Sequence, residues 1–255
     1  MIDPKTIFSN KADKYARYRW DYAAGAVAAI IEEGRLSEAS VVADIAAGTG
    51  ILTRHFAGRV RRVYAVEPNP DMRAVAAREL AALPSVSLVD GSAEATTLPA
   101  GSIDLISVAQ AIHWFEPQAA LQEMNRILKP DGCLAILRNN TTNDPLDGAL
   151  DELILDVLGT GASAVYPQTR NRPFENYLGA DYQKLTFDFQ FRQKWPAFIG
   201  LLSTVSYMPA EEDPRFVKIK REAGKLFDRY SHNGYLPVRG ETVLYIGRPA
   251  SPTFL

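Results

Sequence analysis

Val41-Val42-Ala43-Asp44-Ile45-Ala46-Ala47-Gly48-Thr49-Gly50 is the stretch that decides how this chain is read. Val41 to Ala43 is a short apolar run with the character of a strand buried on both faces. An acid, Asp44, ends the strand. Ala46, Ala47, Gly48, Thr49 and Gly50 follow, and then a helix-like run from Ile51 to Ala57. Strand, glycine-rich turn and helix form the opening unit of a doubly wound α/β fold that binds nucleotide-like ligands. Gly48 and Gly50 can take positive φ, and without a Cβ they let a ligand lie directly on the backbone. Free N–H groups at the start of the following helix can then face that ligand.

The spacing helps to separate two cofactor classes. A dinucleotide site wants G-x-G-x-x-G, with a diphosphate on the helix N-terminus. Here the run is A-A-G-T-G-I-L-T, with no third glycine at the required place. Asp44 would oppose a diphosphate but suits a cationic amine, as expected for S-adenosylmethionine (SAM). The plainer reading is a tight turn that only packs strand against helix.

Composition narrows the class. The chain has 255 residues, 47% hydrophobic and 23% charged, enough for one large α/β domain with an elaboration. A formal net charge of −2 argues against a general nucleic-acid binder, which would carry a basic surplus. Residues 1–15 have no apolar core of signal-peptide length, and no apolar run approaches the roughly 18 residues of a membrane helix. A cytoplasmic protein without membrane attachment is expected. The single cysteine, Cys133, lies in an apolar run and reads as an inert buried thiol. His55, His113 and His232 are scattered, so no metal site is expected.

In chain order, residues 1–20 interleave aromatics with cations. Tyr15, Tyr18 and Arg19 are candidates for a lid over the ligand cleft, or simply for docking this arm on the core. A helix is expected from Asp21 to Glu33, ending at Gly34. A second strand, Arg61 to Val66, ends at Glu67 and Pro68. An acid there can accept from both ribose hydroxyls, in a dinucleotide site or a SAM site alike. Met72, one turn into the next helix (Asp71 to Leu83), lies against adenine or in the core. Val86 to Val89 is a third strand. Ser92 and the N–H of Ala93, in the polar turn after it, supply the acceptor and the donor that adenine needs. Ile103 to Ala109 is a fourth strand, ending at Gln110, His113 and Trp114, where an open α/β sheet borders its ligand crevice. A helix from Glu116 to Leu128 and a fifth strand, Cys133 to Arg138, follow. The last third reads as a helix (Leu146 to Leu158), a loop (Gly159 to Pro173), a half-exposed strand (Lys184 to Arg192), two helices (Trp195 to Val205, Pro214 to Tyr230) and a closing strand (Thr242 to Ile246).

VADIAAGTG, YAVEPNPDM, DGSAEATTLP, IDLISVAQAIHWF and RILKPDGCLAIL stand in the order, and near the spacing, of class I SAM-dependent methyltransferases. The set is similar to the small-molecule "type 11" group, which includes trans-aconitate-methyltransferase-like enzymes. YARYRWDY resembles that group's Y-x-x-Y-R-P segment. Two positions depart from the pattern: Ala46 stands where the first glycine of the turn is usual, and Trp20 where proline is common. The resemblance implies a mostly parallel seven-stranded sheet of order 3-2-1-4-5-7-6, with strand seven antiparallel and a helical cap. It divides a single domain into an arm and helix (1–34), a SAM-binding core (35–142), a substrate-side insert with strand six (143–235) and a closing strand with tail (236–255). Asp44, Ala46, Gly48, Gly50, Glu67, Pro68, Met72, Ser92, Ala93 and Gln110 are then the expected cofactor contacts.

A methyl group on a sulfonium is already activated, so transfer needs positioning above all. A carboxylate acceptor is ionised and needs no general base, whereas an amine or phenol does. Methylation of a small carboxylic acid would instead use guanidinium groups to orient the acceptor. The candidates are Arg19, Arg138, Arg170 and Arg172, with Tyr15, Tyr18, Trp114 and Tyr207 shaping the pocket. His113 is the candidate base, or a pocket-wall histidine. The expected partner is a small molecule, with no nucleic acid and no membrane, on a monomer or homodimer. The alternatives are an NAD-dependent oxidoreductase on the same fold and a non-catalytic SAM-binding regulator.

Overall fold

The structure, a computed structural model, describes residues 8–143, 145–159 and 173–251. Seven strands form one sheet in the order β3-β2-β1-β4-β5-β7-β6. The strands are β1 (Val41–Ile45), β2 (Arg62–Val66), β3 (Val86–Val89), β4 (Ile103–Ala109), β5 (Leu128–Thr141), β6 (Gln183–Gln193) and β7 (Leu236–Gly247). The first five run parallel, and β7 lies antiparallel between β5 and β6. Every residue of β1 is buried, as a central strand covered on both faces requires. The expected sheet order and the antiparallel seventh strand are both present.

The helices are α1 (Ala12–Tyr18), α2 (Ala24–Glu33), α3 (Thr53–Phe56), α4 (Pro70–Glu79), α5 (Pro117–Ile127), α6 (Leu146–Leu158), α7 (Trp195–Ser203) and α8 (Pro214–Tyr230). Asn69 caps α4: its Oδ1 accepts from the N–H groups of Asp71 and Met72, with Pro70 at the first helical position. Two apolar clusters fill the two faces of the sheet, and a third joins α6, α7, α8 and Leu236 into the cap.

Several boundaries differ from the sequence reading. The helix expected from Asp21 begins at Ala24, because Asp21 is engaged elsewhere: its carboxylate accepts from Arg54, His55 and the Tyr22 N–H. The run after the glycine turn is helical only over Thr53–Phe56. β5 and β7 are longer than expected because they pair antiparallel from Leu134–Gly247 to Thr141–Gly240. The arm also carries a helix. α1 packs against α4 and α7, with Ala12, Met72 and Val75 at the centre of a small core that Phe8 and Tyr15 join. Lys11 Nζ donates to the carbonyls of Val205 and Met208, both at 2.8 Å, tying the arm to the segment after α7.

Candidate functional site

The C-terminal tips of β1, β2, β3 and β4 border a cleft of about 150 Å3. This is where an open parallel sheet binds ligands. Ala46 and Gly48 form its floor, Glu67 and Pro68 line it from the β2 tip, and Met72 from the start of α4. Ser92, Ala93 and Glu94 come from the turn after β3, and Gln110, Trp114 and Phe115 from the segment after β4. Phe8 and Tyr15 reach it from the arm. Eight of the ten residues expected to contact a cofactor lie here; Asp44 and Gly50 do not.

Asp44 is the main correction. It sits within the sheet, paired in register with Ala65 and Ser107, and is 1% exposed. One of its oxygens accepts from Thr53 Oγ1 (2.6 Å) and the other from Ser107 Oγ (2.7 Å). Burial pushes its carboxyl up from 3.8 to about 6, and those two hydroxyl bonds partly oppose the shift. Asp44 thus braces the turn from behind, through Thr53, and does not face the cleft. Gly50 serves packing: its φ is +85°, and a Cβ there would meet the Leu80 side chain at 2.6 Å.

Gly48 faces the ligand side. Its φ is +58°, and the nearest atom to a Cβ placed there is Tyr15 Cε1 at 4.0 Å. The missing side chain leaves a cradle between turn and arm. The Gly48 N–H donates to Glu67 Oε2 (2.9 Å), and Glu67 Oε1 accepts from the Asn69 N–H (2.8 Å). Burial pushes the Glu67 carboxyl up, opposed by those two N–H groups and by Arg73. A carboxylate has about four acceptor positions, so both oxygens can still take ribose hydroxyls. Thr49 Oγ1, in the same turn, is buried without a hydrogen-bond partner. The residues fit SAM. Among the described residues, Glu67 and Glu94 are the charged groups lining the cleft, and they suit a cationic ligand. The rings of Trp114 and Phe115 and the Met72 side chain supply apolar walls for a base.

The turn that carries Ser92 and Ala93 is held from below by α5. Glu94 Oε1 accepts from the Glu116 N–H (3.0 Å), and Glu123 Oε1 accepts from the Thr96 N–H (2.8 Å) and hydroxyl. Arg126 donates to both oxygens of Glu123 and to the Leu98 carbonyl.

A second space of about 280 Å3 adjoins the cleft. Phe8, Tyr15, Gln110, Ala111 and Trp114 line both. Arg19, His113, Arg138 and Tyr207 line the second space and not the cleft. Arg19 is held by Thr204: Nε donates to its hydroxyl (2.8 Å) and Nη2 to its carbonyl (3.2 Å). Arg138 lies over the Phe174 ring, with its guanidinium carbon 5.6 Å from the centroid. His113 lies beside Trp114, with ring centroids 5.1 Å apart. Gln110 has φ +58°, and its Nε2 donates to the Asn139 carbonyl at 3.4 Å.

Tyr18 is a second correction. It lines none of these spaces and lies on α7, so close that a Cβ at Gly200 would meet its ring at 2.5 Å. Arg170 and Arg172 lie outside the described residues. Phe8, Glu94, Phe115, Asn139 and Phe174 were not anticipated. Glu94 was the most legible of them, as the acid of the quoted S-A-E segment. Among the described residues there is no group of three or more His, Cys, Asp or Glu side chains able to hold a metal, and no helix is long and apolar enough to cross a membrane.

A methyltransferase-domain family model matches residues 43–136, from inside β1 to inside β5. An uncharacterised methyltransferase-like protein of Schizosaccharomyces pombe is 36% identical over 140 residues, covering 54% of this chain and 53% of that protein. An uncharacterised methyltransferase of Mycobacterium tuberculosis is 36% identical over 151 residues, covering 59% and 58%. The chain therefore spans little more than half the length of these curated relatives. Among solved structures, a candidate type II methyltransferase from Anaeromyxobacter dehalogenans superposes with a TM-score of 0.63 at 25% identity, over 91% of this chain and 98% of that one. Over residues 43–136 the chain is similar to the methyltransferase-domain family, and the seven-stranded order of its sheet agrees with that likeness.

Proposed function

We propose that the protein methylates a small carboxylic acid, forming its methyl ester with SAM as donor. The observation that carries this reading is the separation of charge between the two spaces. Among the described residues, the cofactor cleft is lined by Glu67 and Glu94 and by no cation. The adjoining space is lined, among the described residues, by Arg19 and Arg138 and by no carboxylate. A cationic donor and an anionic acceptor are each matched by the opposite charge, and Tyr15 and Gln110 stand where the spaces meet.

When bound, SAM supplies a methyl group activated by its sulfonium. Glu67 accepts from the ribose hydroxyls, Ser92 and the Ala93 N–H contact adenine, and the backbone at Gly48 supports the amino acid end. Arg19 and Arg138 hold the acceptor's carboxylate. The reaction makes one O–C bond and breaks one S–C bond, whose electron pair stays on sulfur. No proton moves, so His113 acts as a wall and not as a base. Positioning of this kind can supply roughly 7–11 kcal/mol of the barrier. The aromatic arm residues Phe8 and Tyr15 exclude water from the junction.

A dinucleotide oxidoreductase is disfavoured because the turn A-A-G-T-G-I-L-T lacks the third glycine that a diphosphate site needs. A non-catalytic SAM-binding regulator gives no account of the arginine-lined space that opens from the cleft. The test is incubation with methyl-labelled SAM and short-chain acids, followed by alkali. Methyl esters release the label as volatile methanol. Label stable to alkali means methylation at an atom other than a carboxylate oxygen and overturns the proposal, and tighter binding of a nicotinamide dinucleotide than of adenosylhomocysteine overturns the cofactor reading as well.

A further inference from the structure

The acceptor space does not end at Arg19 and Arg138. A further chamber of about 420 Å3 shares both arginines, together with Tyr15, Gln110, Asn139 and Val205. Beyond the arginines it is lined by Trp20, Tyr22, Ile51 and Leu201 and by the polar residues Asn140 and Thr141. That volume alone lies within the range of sites for drug-sized ligands, about 300–1000 Å3, and exceeds what an acid of a few carbons fills.

The polar side of the further chamber is largely committed to the protein. Asn139 Nδ2 donates to the Asp21 carbonyl (3.0 Å), and Asn139 Oδ1 accepts from the Thr242 hydroxyl (2.6 Å). Asn140 Nδ2 donates to Glu241 Oε1 (3.1 Å). The apolar side is rigid. Trp20 packs edge-on against Phe189 and Phe191, with centroids 6.0 and 5.3 Å away, and those two rings stack on each other along β6. The chamber therefore presents a fixed indole, two aliphatic side chains and a tyrosine ring to its contents. Among the described residues it is lined by no third cation to match a second carboxylate.

We infer that the acceptor is an amphipathic monocarboxylic acid. Its carboxylate sits at Arg19 and Arg138, and its apolar body lies in the further chamber against Trp20, Ile51 and Leu201. This rests on the carboxylate reading above and selects one class within it. Each methylene fully buried against such a wall can strengthen binding about fourfold.

The test is calorimetric titration of the adenosylhomocysteine-loaded protein with butanoate, octanoate and succinate. Octanoate is expected to bind at least about tenfold tighter than butanoate, with succinate no better than butanoate. Two substitutions probe the chamber itself. Trp20→Ala opens its wall and should shrink the octanoate-to-butanoate ratio by at least about threefold. Leu201→Trp fills it and should do the same by exclusion, which keeps the test informative if loss of Trp20 also disturbs folding. Equal affinities for octanoate and butanoate, tighter binding of succinate, or a ratio unchanged in both variants overturns the inference while leaving the carboxylate reading intact. Failure of all three acids to bind the loaded protein overturns both.

Discussion

Gly48 and Glu67 are joined by a 2.9 Å hydrogen bond from the glycine N–H to the carboxylate, which ties the turn after β1 to the tip of β2 at the floor of the cofactor cleft. The same carboxylate accepts from the Asn69 N–H. Replacing Glu67 with Gln puts an amide NH2 against one of those donors and removes the charge that favours ribose hydroxyls. Charge-assisted bonds contribute roughly 1.5–3 kcal/mol, so adenosylhomocysteine should bind about 10- to 100-fold more weakly to Glu67→Gln. Calorimetric titration measures this directly, with circular dichroism confirming that the sheet is kept.

Asp44 sets a pH dependence of stability. Its folded carboxyl is raised from 3.8 to about 6, so between those values the folded chain keeps a proton that the unfolded chain has lost. Stability from this group is therefore present at low pH and falls as pH rises through the window. The loss at neutral pH is on the order of 3 kcal/mol. In Asp44→Asn this downward component should vanish. Denaturant melts of parent and variant at pH 4 and pH 7 isolate it, because the other carboxylates titrate alike in both.

Ala46 holds φ at +56°, a left-handed conformation that costs a residue with a Cβ roughly 1–2 kcal/mol. Glycine relieves that strain but adds roughly 0.5–1 kcal/mol of backbone entropy to the unfolded chain. Ala46→Gly should therefore stabilise the protein by about 0.5–1 kcal/mol. Thermal melts at fixed pH check it, and a lower melting temperature would contradict it.

Glu123 does not line the cofactor cleft, yet it carries the turn that does. The Arg126 guanidinium holds its carboxyl down to about 2, and its oxygens take the Thr96 N–H and hydroxyl just beyond Ser92 and Ala93. Glu123→Gln breaks a charge-assisted set in a poorly solvated place and should cost about 1–3 kcal/mol of stability. The Michaelis constant for SAM should rise more than kcat falls, which separates displacement of the turn from general damage.

Much of this fold was legible because parallel strands covered on both faces leave continuous apolar runs. VVADI, RVYAV and IDLISVA each became a strand within a residue or two of expectation, and their order fixed which tips meet. The site was legible where one tip contributes one side chain, as with Glu67, Ser92 and Gln110. It was not legible where a position depends on a distant partner. Whether Asp44 faces the ligand or the sheet is decided by Ser107 and Thr53, which lie 63 and 9 residues away in the chain. Tyr18 was drawn off the site by the bare backbone of Gly200, a pairing no local pattern announces. The further chamber joins Trp20 of the arm, Arg138 of β5 and Leu201 of α7, which lie far apart in the chain.

The short helix α1 ends beside both binding spaces. Tyr15 on its last turn borders every one of them, Arg19 follows it immediately, and the helix itself rests on α4 and α7. In the proposed reaction, donor and acceptor would thus share one wall. By thermodynamic reciprocity, whatever factor the donor adds to the acceptor's affinity by steadying that wall, the acceptor would return to the donor in equal measure. Such coupling would favour the ternary state over either half-filled one and keep the activated methyl from water until its recipient has arrived.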